Sequence, residues 1–500
     1  MSNHSSDRGP DRGLDRRRLL LAGAGVATTA ALTTFEPAAA GSAVTKTFTG
    51  HFSPSGKEDW RYLPFQVPRG VRQIEVSYSY PPPIDSGVGF SSNVVDIGIF
   101  DSSGVGVGNA AGFRGWSGGA RSSFRISRTR ATPGYLPGPI APGRWRIALG
   151  PYQIVSRVDY EVTVTLRFGP RGPAFVPKPA PTSVPGTGTG WYRGDLHVHT
   201  VHSDGSQTRP DVVEYARAAG LDFIGTAEHN TSTAQVTFGR YAPEDLLVIN
   251  GEEVTTRAGH WLATGVPAGT WIDWRYRPED DRLAGFTEQV RELGGISIAA
   301  HPDIPVPSIK WDFDPTFAEM DAVEVWNGPW DGFDAATLRK WHTLLTAGIF
   351  KPAVGSSDTH KESQQIGLAQ TVVRAESLST EAIVAGLRGG HSWIAESSAV
   401  DLVTFTATLD DVSGECGDRV PSEVGQTVAV HLEVAGVPGC VATLLGPGRA
   451  TYGVATAADD SGRIVLDATV PGGTAFVRAE VRRADKMVAL TNPVFLTLAG

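Results

Sequence analysis

From residue 195 to residue 360 the chain repeats one pattern: a short apolar run ends, and a His, Asp or Glu follows. His229 comes after Phe223-Ile224-Gly225-Thr226, Glu253 after Leu246 to Gly251, His301 after Ile296 to Ala300, and Asp358 and His360 after the run that ends at Gly355. Stretches of helical character at 211–219, 282–293, 335–346 and 381–387 separate these runs. Strands alternating with helices predict parallel strand–helix units, in an α/β barrel or an open doubly wound sheet. In a barrel of parallel strands the C-terminal strand ends meet at one rim, so residues remote in sequence converge there. The segment Asp195-Leu196-His197-Val198-His199 adds a local device: strand side chains alternate, so His197 and His199 share one face. Asp358 and His360 repeat that spacing.

The pattern is bounded on both sides. Residues 44–170 carry short alternating runs, such as Arg72 to Tyr78, Val95 to Phe100, Arg144 to Leu149 and Tyr160 to Leu166, between Gly/Pro turns. Period-two alternation of this kind predicts a β-sandwich. The six prolines between Gly169 and Gly190 make 171–190 a semi-rigid spacer. Residues 191–400 hold the strand–helix alternation, and 401–500 return to strands such as Thr427 to Val434, predicting a second, smaller sandwich. Gly115-Trp116-Ser117-Gly118-Gly119 matches the G-x-S-x-G string of hydrolases, but its Gly-rich loop lacks the strand-turn-helix setting and the match is read as chance.

Asp15-Arg16-Arg17-Arg18 followed by Leu19-Leu20-Leu21 and a short run rich in Gly and Ala has the form of a twin-arginine export signal spanning 1–43. An uncleaved anchor is the alternative, for which the run is short. The expected location is extracellular or in the cell envelope, with no membrane contact after cleavage. In an exported chain the two cysteines, Cys416 and Cys440, are read as a disulfide, with buried free thiols as the alternative. The 44 Lys and Arg against 53 Asp and Glu give a net charge of −9. Nothing basic tracks a backbone, so long nucleic acid is not an expected partner.

Asp204 in the turn Ser203-Asp204-Gly205, and His260 before Trp261 to Gly265, complete a set of nine candidate metal ligands: His197, His199, Asp204, His229, Glu253, His260, His301, Asp358 and His360. Nitrogen and oxygen donors without Cys suit two or three divalent ions of the Zn, Mn or Fe type. Clustered and buried without metal, they would carry a large desolvation cost. His202, His342 and His391 fall outside the pattern and read as structural.

Taken in order, His197-x-His199 with Ser203-Asp204-Gly205, Glu228-His229-Asn230, Gly251-Glu252-Glu253-Val254, Gly259-His260, His301-Pro302 and Ser357-Asp358-Thr359-His360 resemble the PHP (polymerase and histidinol phosphatase) superfamily across 191–400. Glu324-Val325-Trp326-Asn327-Gly328 and Thr491-Asn492-Pro493-Val494 look like its CehA/McbA-type metallohydrolase branch. The resemblance implies an α/β plus β architecture, a distorted (β/α)7 barrel flanked by N- and C-terminal β-sandwiches. It implies that His197, His199, Glu253 and Asp358 hold one ion, that Glu253 bridges to a second held by His260 and His301, and that Asp204, His229 and His360 hold a third. Asp358 and His360 are the candidate proton relays. Glu228 stands where the family commonly has Asp, and reads as a supporting residue. Asp303 stands where phosphatase relatives often carry a base, which argues against a simple monoester preference.

Trp326, Asn327 and Trp330 either line the substrate pocket or pack under a loop. The first expected function is an exported metal-dependent phosphoesterase acting on a small phosphate mono- or diester, a nucleotide or an oligonucleotide end. A second keeps the site and hydrolyses an ester, amide or carbamate. The third is a surface-binding protein whose sandwiches attach to a cell-surface polymer such as glycan, or to another protein, and whose metal centre is structural.

Overall fold

Every second residue of the strand Val158–Phe168 is buried, from Val158 and Tyr160 to Leu166 and Phe168, as its alternation predicts. This strand belongs to a computed structural model that describes residues 43–54, 59–81, 93–306, 308–457 and 461–497; the export-signal reading falls on residues 1–42, outside that range. Two antiparallel four-stranded sheets form from the first segment. One takes Ala43–Phe52, Val158–Phe168, Val71–Ser79 and Ser123–Ser127, and the other Arg61–Val67, Gly143–Gln153, Val94–Phe100 and Phe113–Trp116. Their facing sides share one core, which includes Ile74, Val76, Ile97, Ile147, Val162 and Leu166.

The second sheet is apolar on its outer side too, where Phe100, Phe113 and Trp116 join a core with Trp271 and Trp274. Phe113 stacks on Trp271 with ring centroids 4.2 Å apart, and Trp116 meets Trp274 at 4.5 Å. The buried pair Arg275–Asp273, 2.6 Å apart, seals the junction: Arg275 donates to the Tyr62 hydroxyl at 2.6 Å, and Asp273 accepts from the Gly108 N–H at 2.8 Å.

Beyond the proline-rich spacer the chain is mixed α/β and rich in strands. Gly190–Val198, Phe223–Thr226 and Leu247–Ile249 pair in parallel, and Gln370–Ala375 and Ser392–Ala395 extend that sheet antiparallel. A second sheet runs in the order Glu228–His229, Gly251–Thr256, Gly259–Thr264, Ile296–Ala300, Ala322–Asn327, Ala353–Ser356. The chain passes directly from one sheet to the other at Ala227 and again at Asn250, and Val198 forms a parallel bridge with Thr359. The helices Arg209–Ala218, Leu283–Glu292, Gly332–Thr346 and Thr380–Gly389 lie where periodicity places them. The first shows why: Thr208 and Asp211 form a reciprocal capping box, Pro210 occupies the first turn, and Val212, Val213 and Ala216 face inward.

A regular sevenfold strand–helix alternation is not what these residues form. Only Arg257 and Ala258 lie between Gly251–Thr256 and Gly259–Thr264, too few for a crossover helix, so these strands pair antiparallel, as do Gly259–Thr264 and Ile296–Ala300. Among the described residues no helix is long and apolar enough to cross a membrane.

At the C-terminal end Val412–Gly414, Asp401–Leu409, Thr427–Ala435 and Ile464–Pro471 make one sheet, while Val441–Leu445, Thr451–Thr456, Phe476–Arg483 and Lys486–Thr491 continue the larger central sheet through the pairing of Lys486–Thr491 with Ser392–Ala395. Asn492 reaches further. Its Oδ1 accepts from the Ala353 N–H at 2.8 Å and its Nδ2 donates to the Ala353 carbonyl at 3.0 Å, in place of a neighbouring strand. The disulfide expected between Cys416 and Cys440 is not made: both thiols are free and sit among the apolar core residues of this region, where each packs as a small hydrophobe.

His342 is structural, as expected from its place outside the ligand pattern. Its Nδ1 lies 3.0 Å from Arg478 Nε and its Nε2 3.1 Å from the Arg449 backbone nitrogen, and the ring ties the helix Gly332–Thr346 to the C-terminal strands by accepting at one of the two. Burial and the charges of Arg478 and Arg449 lower its pKa to about 4. A histidine whose folded pKa lies below its unfolded value contributes stability that is present above about pH 6.5 and is lost as pH falls toward 4. Wild-type protein is therefore expected to lose on the order of 2–3 kcal/mol over that window relative to His342→Asn. Denaturant melts of both at pH 7.5 and 4.5 check this, and parallel losses in the two proteins would refute it.

Candidate metal centre

All nine candidate ligands come together, because the strand ends that carry them face one another across the junction of the two central sheets. His197 lies in Gly190–Val198 and His199 just beyond it, both fully buried. Glu253 lies in Gly251–Thr256, His260 in Gly259–Thr264, and His301 directly after Ile296–Ala300. Three residues at strand ends here have left-handed backbone: Asn230 (φ 56°), His301 (31°) and Asp358 (51°). Such conformations cost about 1–3 kcal/mol each in a non-glycine residue and cluster where a side chain has to be aimed.

His197 Nε2 lies 3.3 Å from Glu253 Oε2 and 3.4 Å from Asp358 Oδ1, while His199 Nε2 lies 3.5 Å and 3.2 Å from the same two oxygens. Tetrahedral donors about 2.1 Å from a common ion stand about 3.4 Å apart. A second group joins Asp204, His229, His360 and His199: Asp204 Oδ1 is 3.5 Å from His229 Nε2 and 3.4 Å from His360 Nε2. In the third, Glu253 Oε1 meets His260 Nδ1 at 2.8 Å and His301 Nε2 at 3.1 Å.

Seven buried donor atoms in the first two groups have no hydrogen-bond partner among the described residues: Nε2 of His197, His199, His229 and His360, Glu253 Oε2, and Oδ1 of Asp204 and Asp358. Buried polar atoms are almost always paired, so seven orphans pointing at one another need a shared partner that accepts lone pairs. The donor set fits divalent metal ions.

Charge follows the same arrangement. Burial works against the Glu253 carboxylate, but His229, His197 and His260 outweigh it and hold its pKa well below the usual range. His197, His199 and His360 do the same for Asp358. Burial opposes protonation of His360 as well, yet Asp204 and Asp358 raise its pKa to about 10, whereas burial beside His360 and His229 lowers that of His199 to about 3. Side-chain exposure locates the open side. His197, His199, Glu253 and His260 are at 0%, against 18% for Asp204, 12% for His229 and 10% for Asp358.

Partners outside the nine fix their orientation. Glu324 Oε1 lies 3.1 Å from His197 Nδ1, which turns His197 Nε2 toward Glu253 and Asp358. Glu324 is also close enough to His197 and His301 to be a ligand itself, and it is absent from the nine sequence candidates. Its signal is present: an acid follows Ala322-Val323 on the strand next to the one before His301. Asp195, quoted only as part of a motif, ties the strand end to two loops by accepting from the N–H groups of His197 (3.2 Å), Ser357 (3.0 Å) and Gly367 (2.8 Å). Glu228 supports the Asp204 loop, accepting from Thr200 and from the Ser203 hydroxyl at 2.6 Å. Trp326 and Trp330 pack edge-to-face in the core, and Asn327 donates to Glu324 at 2.9 Å. His202 bonds Thr233 at 2.9 Å, and His391 accepts from Arg374 at 2.9 Å.

No family model matches the chain. It is similar to an uncharacterized protein of Methanocaldococcus jannaschii, with 27% identity over 153 residues that cover 27% of this chain and 81% of that protein. The crystal structure of a two-domain protein containing a predicted PHP-like metal-dependent phosphoesterase, from Bacteroides vulgatus, aligns with a TM-score of 0.35 and 17% identity, covering 63% of this chain and 99% of that one.

Proposed function

We propose that the protein is a metal-dependent hydrolase of the PHP type, a phosphoesterase acting on small phosphate mono- or diesters, including nucleotides and oligonucleotide ends. The observation that carries this reading is the convergence of seven unpartnered buried donors on one partly open cluster. In this reading the two central sheets are a distorted, opened form of the family barrel. His197, His199, Glu253 and Asp358 would hold one ion, Glu253, His260 and His301 a second, and Asp204, His229 and His360 a third. Divalent ions so held would supply Lewis acidity, with which water can act as a nucleophile near neutral pH and charge on the phosphoryl oxygens is offset.

The protein's own residues do the rest. Glu324 and Glu228 keep the imidazoles and the Asp204 loop aimed, and the dry floor at His197 and His199 keeps bulk water from competing with the donors. Asp358 borders the open side and is the candidate to pass a proton to the leaving oxygen; the other candidate relay, His360, keeps its Nδ1 on the Asp358 carbonyl at 2.9 Å, which fixes its ring and leaves it a ligand rather than a relay. We assign zinc, manganese or iron as the metal and export by the twin-arginine route as the destination, on the donor chemistry and on Arg16-Arg17.

Purified protein loaded with Mn or Zn is expected to hydrolyse a phosphate monoester or diester, with a loss of at least about 10²-fold in Asp358→Ala. A carboxylic ester and a carbamate are assayed beside them. Turnover of those alone moves the assignment to carbonyl hydrolysis on the same site, and turnover of none favours a binding protein with a structural metal centre.

A further inference from the structure

The N-terminal sandwich touches the metal centre. Four of its polar contacts land on three segments that carry or flank ligands. Arg121 donates to the carbonyl of Val201, between His199 and Asp204. The Gly134 carbonyl accepts from Thr231, just after His229, at 3.3 Å. The Pro151 carbonyl accepts from Arg257 at 2.7 Å, and the Tyr152 hydroxyl lies 3.4 Å from Nε2 of the ligand candidate His260. Asp96 stands opposite Gly150 on the neighbouring strand, and Tyr152, two residues along at a shift in the strand register, lies within electrostatic reach of Asp96. Asp96 lies within electrostatic reach of Arg257, His229 and Asp204, the last two being on the open side of the centre. Arg257 itself rests on the Trp60 ring at 4.4 Å. The aromatic core around Trp271 and Trp274 holds this sheet against the centre.

We propose that this inner face of the N-terminal sandwich is the substrate-selecting wall of the metal centre: Tyr152 positions His260, and Asp96 favours a small ester carrying a single negative charge over a polyanionic chain. The Asp96 carboxylate repels each phosphate near it, so a small ester meets that repulsion once and a longer strand meets it again with every further group it brings. Tyr152 is a positioning residue, acting through the second nitrogen of a metal-ligand imidazole. The proposal rests on the phosphoesterase reading for its substrate class, though its metal and binding readouts do not require turnover.

The test uses full-length protein at pH 8, above the value of about 7 to which burial raises the Asp96 carboxyl. Mn titration against a competing chelator is expected to show the weakest site about tenfold weaker in Tyr152→Phe, with the metal-free melting temperature unchanged. Binding of a fluorescent single-stranded oligonucleotide, competed with a small phosphate diester, is expected to show the preference for the small ester reduced about tenfold in Asp96→Asn. Wild-type metal affinity in Tyr152→Phe, or an unaltered preference in Asp96→Asn, overturns the wall. If wild-type protein binds metal and hydrolyses nothing, the phosphoesterase reading fails while both of these readouts still decide the inference.

Discussion

Glu253→Gln is expected to abolish stable metal loading and to lower hydrolysis by roughly 10³-fold. One carboxylate serves five imidazoles: Oε2 lies near His197, His199 and, at 2.8 Å, His229, and Oε1 near His260 and His301. Gln keeps the size and one acceptor but puts an NH2 group where the other oxygen stood, aimed at nitrogen lone pairs. It also removes the negative charge that lets a fully buried set of donors hold cations. Metal content after dialysis, measured beside turnover, checks both parts. A variant that keeps its full complement of metal and its rate would show that the bridging position of Glu253 is geometric accident.

Excision of residues 1–170 is expected to yield aggregated rather than soluble metal-binding protein. The cut would expose Trp271 and Trp274, and would strip Arg275 of its bonds to Tyr62 and to the Val105 carbonyl. A patch of buried indoles placed in water is an association site, and the Arg275–Asp273 pair, its charges still matched, loses the hydrogen bonds that flank it. Trp271→Ala in the full chain is the milder probe, expected to cost about 3–5 kcal/mol by removing the stack on Phe113. Thermal melts and size-exclusion profiles read both. A monomeric 171–500 fragment that binds metal and melts like the parent would mean that the aromatic seam is incidental.

Much of the centre is legible in the sequence because its physics is local. An i, i+2 spacing at the end of an apolar run puts His197 and His199 on one face, and Asp358 and His360 follow the same rule. The helices are legible because their caps and periodicity lie within a few residues, as at Thr208 and Asp211. Glu324 is harder to see, since it stands inside the apolar run Ala322–Asn327 and becomes meaningful only when the neighbouring strand brings His301 to it. The antiparallel turn at Arg257-Ala258 hides inside a stretch that otherwise reads as strand–helix units. The free thiols depend on where two distant segments pack. The contact of Tyr152 with His260 spans 108 residues and leaves no periodicity behind.

Asn492 has a consequence in time as well as in space. It is translated 139 residues after Ala353, the edge residue whose backbone it completes, and the strand from Ala353 leads into Asp358. Without Asn492 the N–H and carbonyl of Ala353 on that edge would lack these partners. The backbone that delivers Asp358 is thus completed by a residue made 139 residues later, far in sequence from any metal-ligand candidate.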